Sequence, residues 1–127
     1  MLKEKLQHAT NWQERFRLLI QASKNLPIPS EQEREKMEEI HGCEARLWWQ
    51  MEKTATGLHF KAYSEARIMN GILFLLLEEL STMPTSDIKN FSLEDFFEKN
   101  GILQNLSQTR RLGLKEIEKR LQQAEYC

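Results

Sequence analysis

The sequence is short of most features that decide a function at sight. It has two cysteines, and one of them, Cys127, is the last residue. That is too few for a disulfide framework. It has no CxxC or HxxxH spacing, so His41, Cys43, His59 and Cys127 do not read as a zinc site. It has no glycine-rich phosphate loop, and no pair of carboxylates stands out for acid–base work. Neither sign of charge prevails. Eighteen Lys and Arg face nineteen Asp and Glu, a net charge of −1, which argues against a strong electrostatic nucleic-acid binder. The most apolar run, Ile72 to Leu77, is far shorter than the ~20 residues that span a bilayer. No apolar signal segment follows Met1-Leu2-Lys3-Glu4-Lys5. A reducing cytoplasm is the simplest expectation, with Cys43 a free thiol, no membrane and no nucleic acid as partner.

What is present is ordinary in bulk. The 127 residues are 40% hydrophobic and 29% charged, as expected for one globular domain over residues 1–127. Asn11 can cap a helix from there to Lys24, with Glu14 as its capping-box partner and Trp12, Phe16, Leu19, Ile20 and Ser23 on one face. Leu2 and Leu6 suggest a short helix before it. Pro27 and Pro29 stop the chain. Ser30 to Glu39 is charged and reads as a solvated connector with at most one helical turn.

Residues 44–52 alternate. Ala45, Leu47, Trp49 and Met51 point one way; Glu44, Arg46, Gln50 and Glu52 point the other, with Trp48 an apolar exception among them. Thr54-Ala55-Thr56-Gly57 reads as a hairpin connection, and Leu58, Phe60 and Ala62 alternate after it. A pair of strands is marginal alone, so Glu39-Ile40 is expected to add a third. Ser64 is expected to cap a central helix from Glu65 to Leu80. Its apolar surface, built on Ile68, Ile72, Leu75, Leu76 and Leu80, is wide enough to be covered on more than one side. Thr85–Asn90 and a Ser92-capped Leu93–Lys99 follow as short helices. Asn100-Gly101 ends the second. Ser107 caps a last helix with Leu114, Ile117 and Leu121 inside. The order predicts an α+β fold, a small antiparallel sheet of about three strands against several helices.

Two places could carry chemistry. Cys43 follows a bend-permitting Gly42 and precedes a strand, a setting that presents a thiol. A buried cysteine is the plainer reading. Reactivity requires access and a stabilised thiolate. Arg110 and Arg111 sit in the first turns of the last helix, where they oppose its dipole. One of them could face an anion; a solvated pair is the plainer reading. His41 stands too close in sequence to Cys43 for its spacing to imply a catalytic base.

These residues resemble the SufE family of sulfur acceptors, which assist cysteine desulfurases in iron–sulfur cluster assembly. The similarity runs through Asn11-Trp12-Gln13-Glu14-Arg15-Phe16 and Leu26-Pro27. It is strongest at Ile40-His41-Gly42-Cys43-Glu44-Ala45-Arg46-Leu47-Trp48. It resumes at Ala66-Arg67-Ile68-Met69-Asn70-Gly71, Asp87-Ile88, Phe97-Glu98-Lys99, Leu106-Ser107, Arg110 and Gly113-Leu114. The family usually has Ser where Ala45 stands, and often His-Leu-Ser-Pro-Ser-Arg where Asn105-Leu106-Ser107-Gln108-Thr109-Arg110 stands. The resemblance implies that Cys43 accepts persulfide sulfur from a desulfurase and passes it to a scaffold protein. It implies that Arg110 contacts the thiolate or the partner, and that His41, Gly42, Glu44, Arg46 and Glu65 bind the partner. No cofactor or metal is expected on this chain, since pyridoxal phosphate belongs to the desulfurase. The alternatives are a docking module that regulates a desulfurase without carrying sulfur, and a sulfur relay to another thiolation pathway.

Overall fold

The computed structural model describes residues 2–41 and 45–123. Its elements follow the expected order. Helices α1 (Leu2–His8), α2 (Trp12–Ser23) and α3 (Glu31–Lys36) lead into strands β1 (Glu38–Ile40), β2 (Leu47–Thr54) and β3 (Gly57–Ser64). Helices α4 (Arg67–Thr82), α5 (Thr85–Ile88) and α6 (Leu93–Lys99) follow, then a 3₁₀ turn (Leu103–Asn105) and α7 (Gln108–Gln123). The sheet is antiparallel in the order β1-β2-β3, and α4 lies against β3 and α2. This is the α+β architecture expected from the sequence.

Local chemistry starts and stops these elements. The Asn11 side chain accepts from the Glu14 amide at 2.8 Å and opens α2. Ser107 Oγ accepts from the Arg110 amide at 3.3 Å and opens α7. Gly101, at φ +73°, takes the left-handed conformation that follows α6. Gly57, at φ +135°, closes the two-residue connection between β2 and β3.

Two expectations need correcting. Residues 30–39 are solvated as expected along α3, which buries no residue, but they hold more order than one helical turn, and β1 begins at Glu38. Ser30 and Glu33 form a reciprocal capping box that starts α3, a signal that the charge-run reading passed over. Nor does Ser64 cap a helix beginning at Glu65. Ser64 still pairs with Leu47 in the sheet, so the chain must turn first and α4 begins at Arg67. Ser64 Oγ accepts from the Ala66 amide at 3.1 Å within that turn.

Buried Asn70 holds the corner. Its Oδ1 accepts from the Ser64 amide at 2.7 Å, and its Nδ2 donates to the Ser64 carbonyl at 2.8 Å. A side-chain amide thus serves both main-chain groups of Ser64, which is fully buried and has no water to turn to. The next residue, Gly71, lets α4 approach α2. A Cβ there would lie 2.1 Å from the Leu19 carbonyl oxygen, an overlap with main chain that no rotamer change relieves. Leu19, Ile72, Leu73 and Leu76 are fully buried around this crossing. Gly71→Ala is therefore expected to lower stability by about 3 kcal/mol, read as a fall in the urea midpoint with little change in slope.

Candidate functional site around the β1–β2 connection

The sequence-predicted sulfur site falls on the connection between β1 and β2. Gly42, Cys43 and Glu44 lie outside the described residues, as does Cys127. Both flanks are firm. Ile40 pairs with Leu47, and the two are 2% and 0% exposed. The connection therefore leaves and rejoins the sheet at adjacent, buried positions. His41, just past β1, is exposed.

The outer face of the sheet explains Trp48. It pairs with Tyr63 across β2 and β3, and their rings stack at 6.1 Å. The Arg46 guanidinium lies 4.7 Å from the Trp48 ring centroid and that of Arg34, from α3, lies 5.3 Å away. Two cations and a phenol ring cover the indole, leaving it only 5% exposed. An apolar residue on the polar face is thus buried by its neighbours, not by a second sheet.

Arg46 does more than cover Trp48. Its Nε and Nη2 donate to the two carboxylate oxygens of Glu39, at 3.3 and 3.1 Å. Its amide donates to Glu65 Oε1 at 3.3 Å, and its carbonyl accepts from the Glu65 amide at 3.1 Å. The hydrogen bonds from Arg46 hold the Glu39 carboxyl below its usual range; partial desolvation opposes them. Of the expected partner-contacting residues, Arg46 and Glu65 thus meet directly, and Arg46 also holds Glu39. Together with Glu31, Arg34, Glu35, Met37 and Trp48 they line a groove of about 460 Å³.

Glu38 points to the opposite face. Arg120, from the last turns of α7, donates to both its carboxylate oxygens, through Nε at 2.7 Å and through Nη2. Arg120 Nη1 also reaches the Glu116 carbonyl at 2.8 Å and carboxylate at 3.3 Å. Neither Glu38 nor Arg120 was singled out in the sequence, because a pair so distant along the chain leaves no local pattern.

The two arginines at the start of α7 separate in role. Arg111 donates through Nε to the Leu106 carbonyl at 3.3 Å and through Nη2 to that of Leu103. It closes the 3₁₀ turn. Arg110 is half-buried, and among the described residues no carboxylate or carbonyl takes a hydrogen bond from its guanidinium. Gly113, one turn on, is buried. Among the described residues no three potential metal ligands converge, and no helix is long and apolar enough to cross a membrane.

Fold and site together define a small α+β protein whose cysteine lies on a connection closed at its base by paired strands and paired ions. Residues 1–125 match the SufE family, described as an Fe-S metabolism associated domain. A Haemophilus influenzae protein named as an uncharacterized SufE-like protein is 44% identical over 119 residues, 93% of this chain and 94% of its own. A hypothetical protein from Thermus thermophilus, solved in solution, superposes with a TM-score of 0.73 at 17% identity. That match covers 94% of this chain and 86% of the other, and it concerns the fold alone. The chain belongs to the SufE family, and membership associates it with iron–sulfur metabolism.

The Glu38–Arg120 pair carries a pH dependence of definite sign. The hydrogen bonds from Arg120 lower the Glu38 carboxyl below its ordinary 4.5, with burial and the Glu116 charge opposing. A lowered folded value means the pair stabilises above the unfolded value and fades as pH falls through the folded one. The difference in Tm between wild type and Glu38→Gln should be constant near neutrality and disappear in acid below that range.

Proposed function

We propose that this protein accepts sulfur from a cysteine desulfurase on Cys43 and hands it on for iron–sulfur cluster assembly. The observation that carries the reading is the family match over residues 1–125, with Ile40-His41-Gly42-Cys43 between two anchored strand ends. The step is a thiolate exchange. The Cys43 thiolate attacks the outer sulfur of the desulfurase persulfide, and an S–S bond forms at Cys43 as the donor S–S bond breaks. The donor cysteine leaves as thiolate and takes up a proton. The sulfur keeps its oxidation level, so no external electron carrier is required. The rate follows thiolate fraction, access and the basicity of the leaving thiolate.

The guanidinium of Arg110, which no carboxylate or carbonyl among the described residues engages, supports a role in stabilising the Cys43 thiolate or contacting the partner. A nearby cation raises the thiolate fraction at neutral pH. Arg46 and Glu65, with His41, Gly42 and Glu44, are the residues proposed to meet the desulfurase. Pyridoxal phosphate resides on that partner, and an iron–sulfur scaffold is the recipient. A reducing cytoplasm would keep Cys43 competent.

Desulfurase turnover provides the test, run with each cysteine desulfurase of the source genome. Cys43→Ser should abolish stimulation of turnover while still forming the complex by gel filtration. Full stimulation by Cys43→Ser would instead make the protein a docking module. Arg110→Ala should slow sulfur uptake about tenfold or more, by loss of charge stabilisation, while changing Tm little. Equal losses in uptake and stability would make Arg110 a structural residue.

A further inference from the structure

Strand β1 is short, lies at the sheet edge and leads directly into the Cys43 connection. Its two successive glutamates point to opposite faces, as strand alternation requires. Each is held by an arginine that reaches both carboxylate oxygens. Arg46 holds Glu39 on the outer face, across the mouth of the connection. Arg120 holds Glu38 on the other face, from a helix. Arg46 closes the connection on itself. Arg120 ties it to the rest of the molecule, because Glu38 and Arg120 are 82 residues apart in sequence.

The Arg120 side chain is 24% exposed, and its remaining nitrogen is spent on the Glu116 carbonyl and carboxylate of its own helix. The guanidinium is therefore oriented before Glu38 arrives, which lessens the entropy lost in forming the pair. Helix α7 does not need the pair to stay in place, since Leu114, Ile117 and Leu121 are buried. Strand β1 has less to hold it. Glu38 is exposed, and only Ile40 of the three strand residues is buried.

We propose that Arg120 is a positioning residue for Cys43, acting through Glu38 to fix the strand from which the cysteine connection departs. The inference rests on Cys43 being the sulfur acceptor. With the pair intact, β1 is held in register against β2 and the chain leaves the sheet from one defined place. With the pair broken, β1 frays from the sheet edge, and Cys43 reacts faster with a small reagent and more slowly with a large partner. Local opening of this kind is expected where few buried contacts oppose it.

The test uses the full chain in a Cys127→Ser background, where Cys43 is the remaining thiol. Arg120→Ala, Glu38→Gln and the double variant are compared in alkylation by iodoacetamide, amide hydrogen exchange and sulfur uptake from the desulfurase. All three variants should speed alkylation by the same amount, about threefold, because the second substitution removes nothing further. Faster exchange should be confined to residues 38–47. Sulfur uptake should change in the opposite direction and slow. Unchanged alkylation, additive effects of the two substitutions, or faster exchange throughout α4 would overturn the proposal. So would faster sulfur uptake. Alkylation and exchange involve no desulfurase. If sulfur never reaches Cys43 in the wild type while the coupling of Glu38 and Arg120 holds, the acceptor reading fails and the structural coupling does not.

Discussion

The pairing of Ile40 with Leu47 is the constraint on which the site depends. It brings the chain back to within one strand spacing of where it left, so the two ends that flank the cysteine connection are fixed beside each other. That pairing stands because Leu47, Trp49 and Ala62 are buried in the core and α4 packs on β3. The position of α4 rests in turn on two adjacent residues. Asn70 binds both main-chain groups of Ser64, and Gly71 admits the carbonyl of Leu19. A packing detail on one helix is thereby transmitted through β3 and β2 to the mouth of the loop.

Electrostatics then refine what packing fixes. Exposed ion pairs contribute little to stability singly. The pairs at Glu38 and Glu39 matter for geometry instead. A guanidinium that meets both oxygens of a carboxylate restricts orientation as well as distance. Trp48 shows the same economy. Its exposure is removed by Arg34, Arg46 and Tyr63, so a single side chain, Arg46, both covers the indole and latches the loop.

Much of the architecture was legible in the sequence. The hairpin followed from alternation around Thr54–Gly57, the third strand from the need of two strands for a neighbour, and the starts of α2, α6 and α7 from Asn11, Ser92 and Ser107. The start of α4 was misplaced because Ser64 has a second occupation as a strand residue, and propensity does not register sheet pairing. Helix α3 was foreseen only as one helical turn because its capping box lies inside a charged run. For the candidate site the sequence offered Cys43 and Arg110, through their resemblance to a family pattern; Cys43 lies outside the described residues. The separation of Arg110 from Arg111 was not legible, since it depends on which carbonyls the 3₁₀ turn leaves open. The Glu38–Arg120 pair was also hidden, because contacts between distant segments have no sequence period.

The central claim is that Cys43 takes up sulfur as a persulfide. Its most direct measurement is peptide-resolved mass spectrometry of the chain after one turnover with a sulfur-loaded desulfurase, with free cysteine removed and thiols trapped at once. The account predicts the added mass of one sulfur atom on the peptide that contains Cys43, and a matching loss from the desulfurase cysteine. Sulfur that stays on the desulfurase, or that is found only on Cys127, would contradict it.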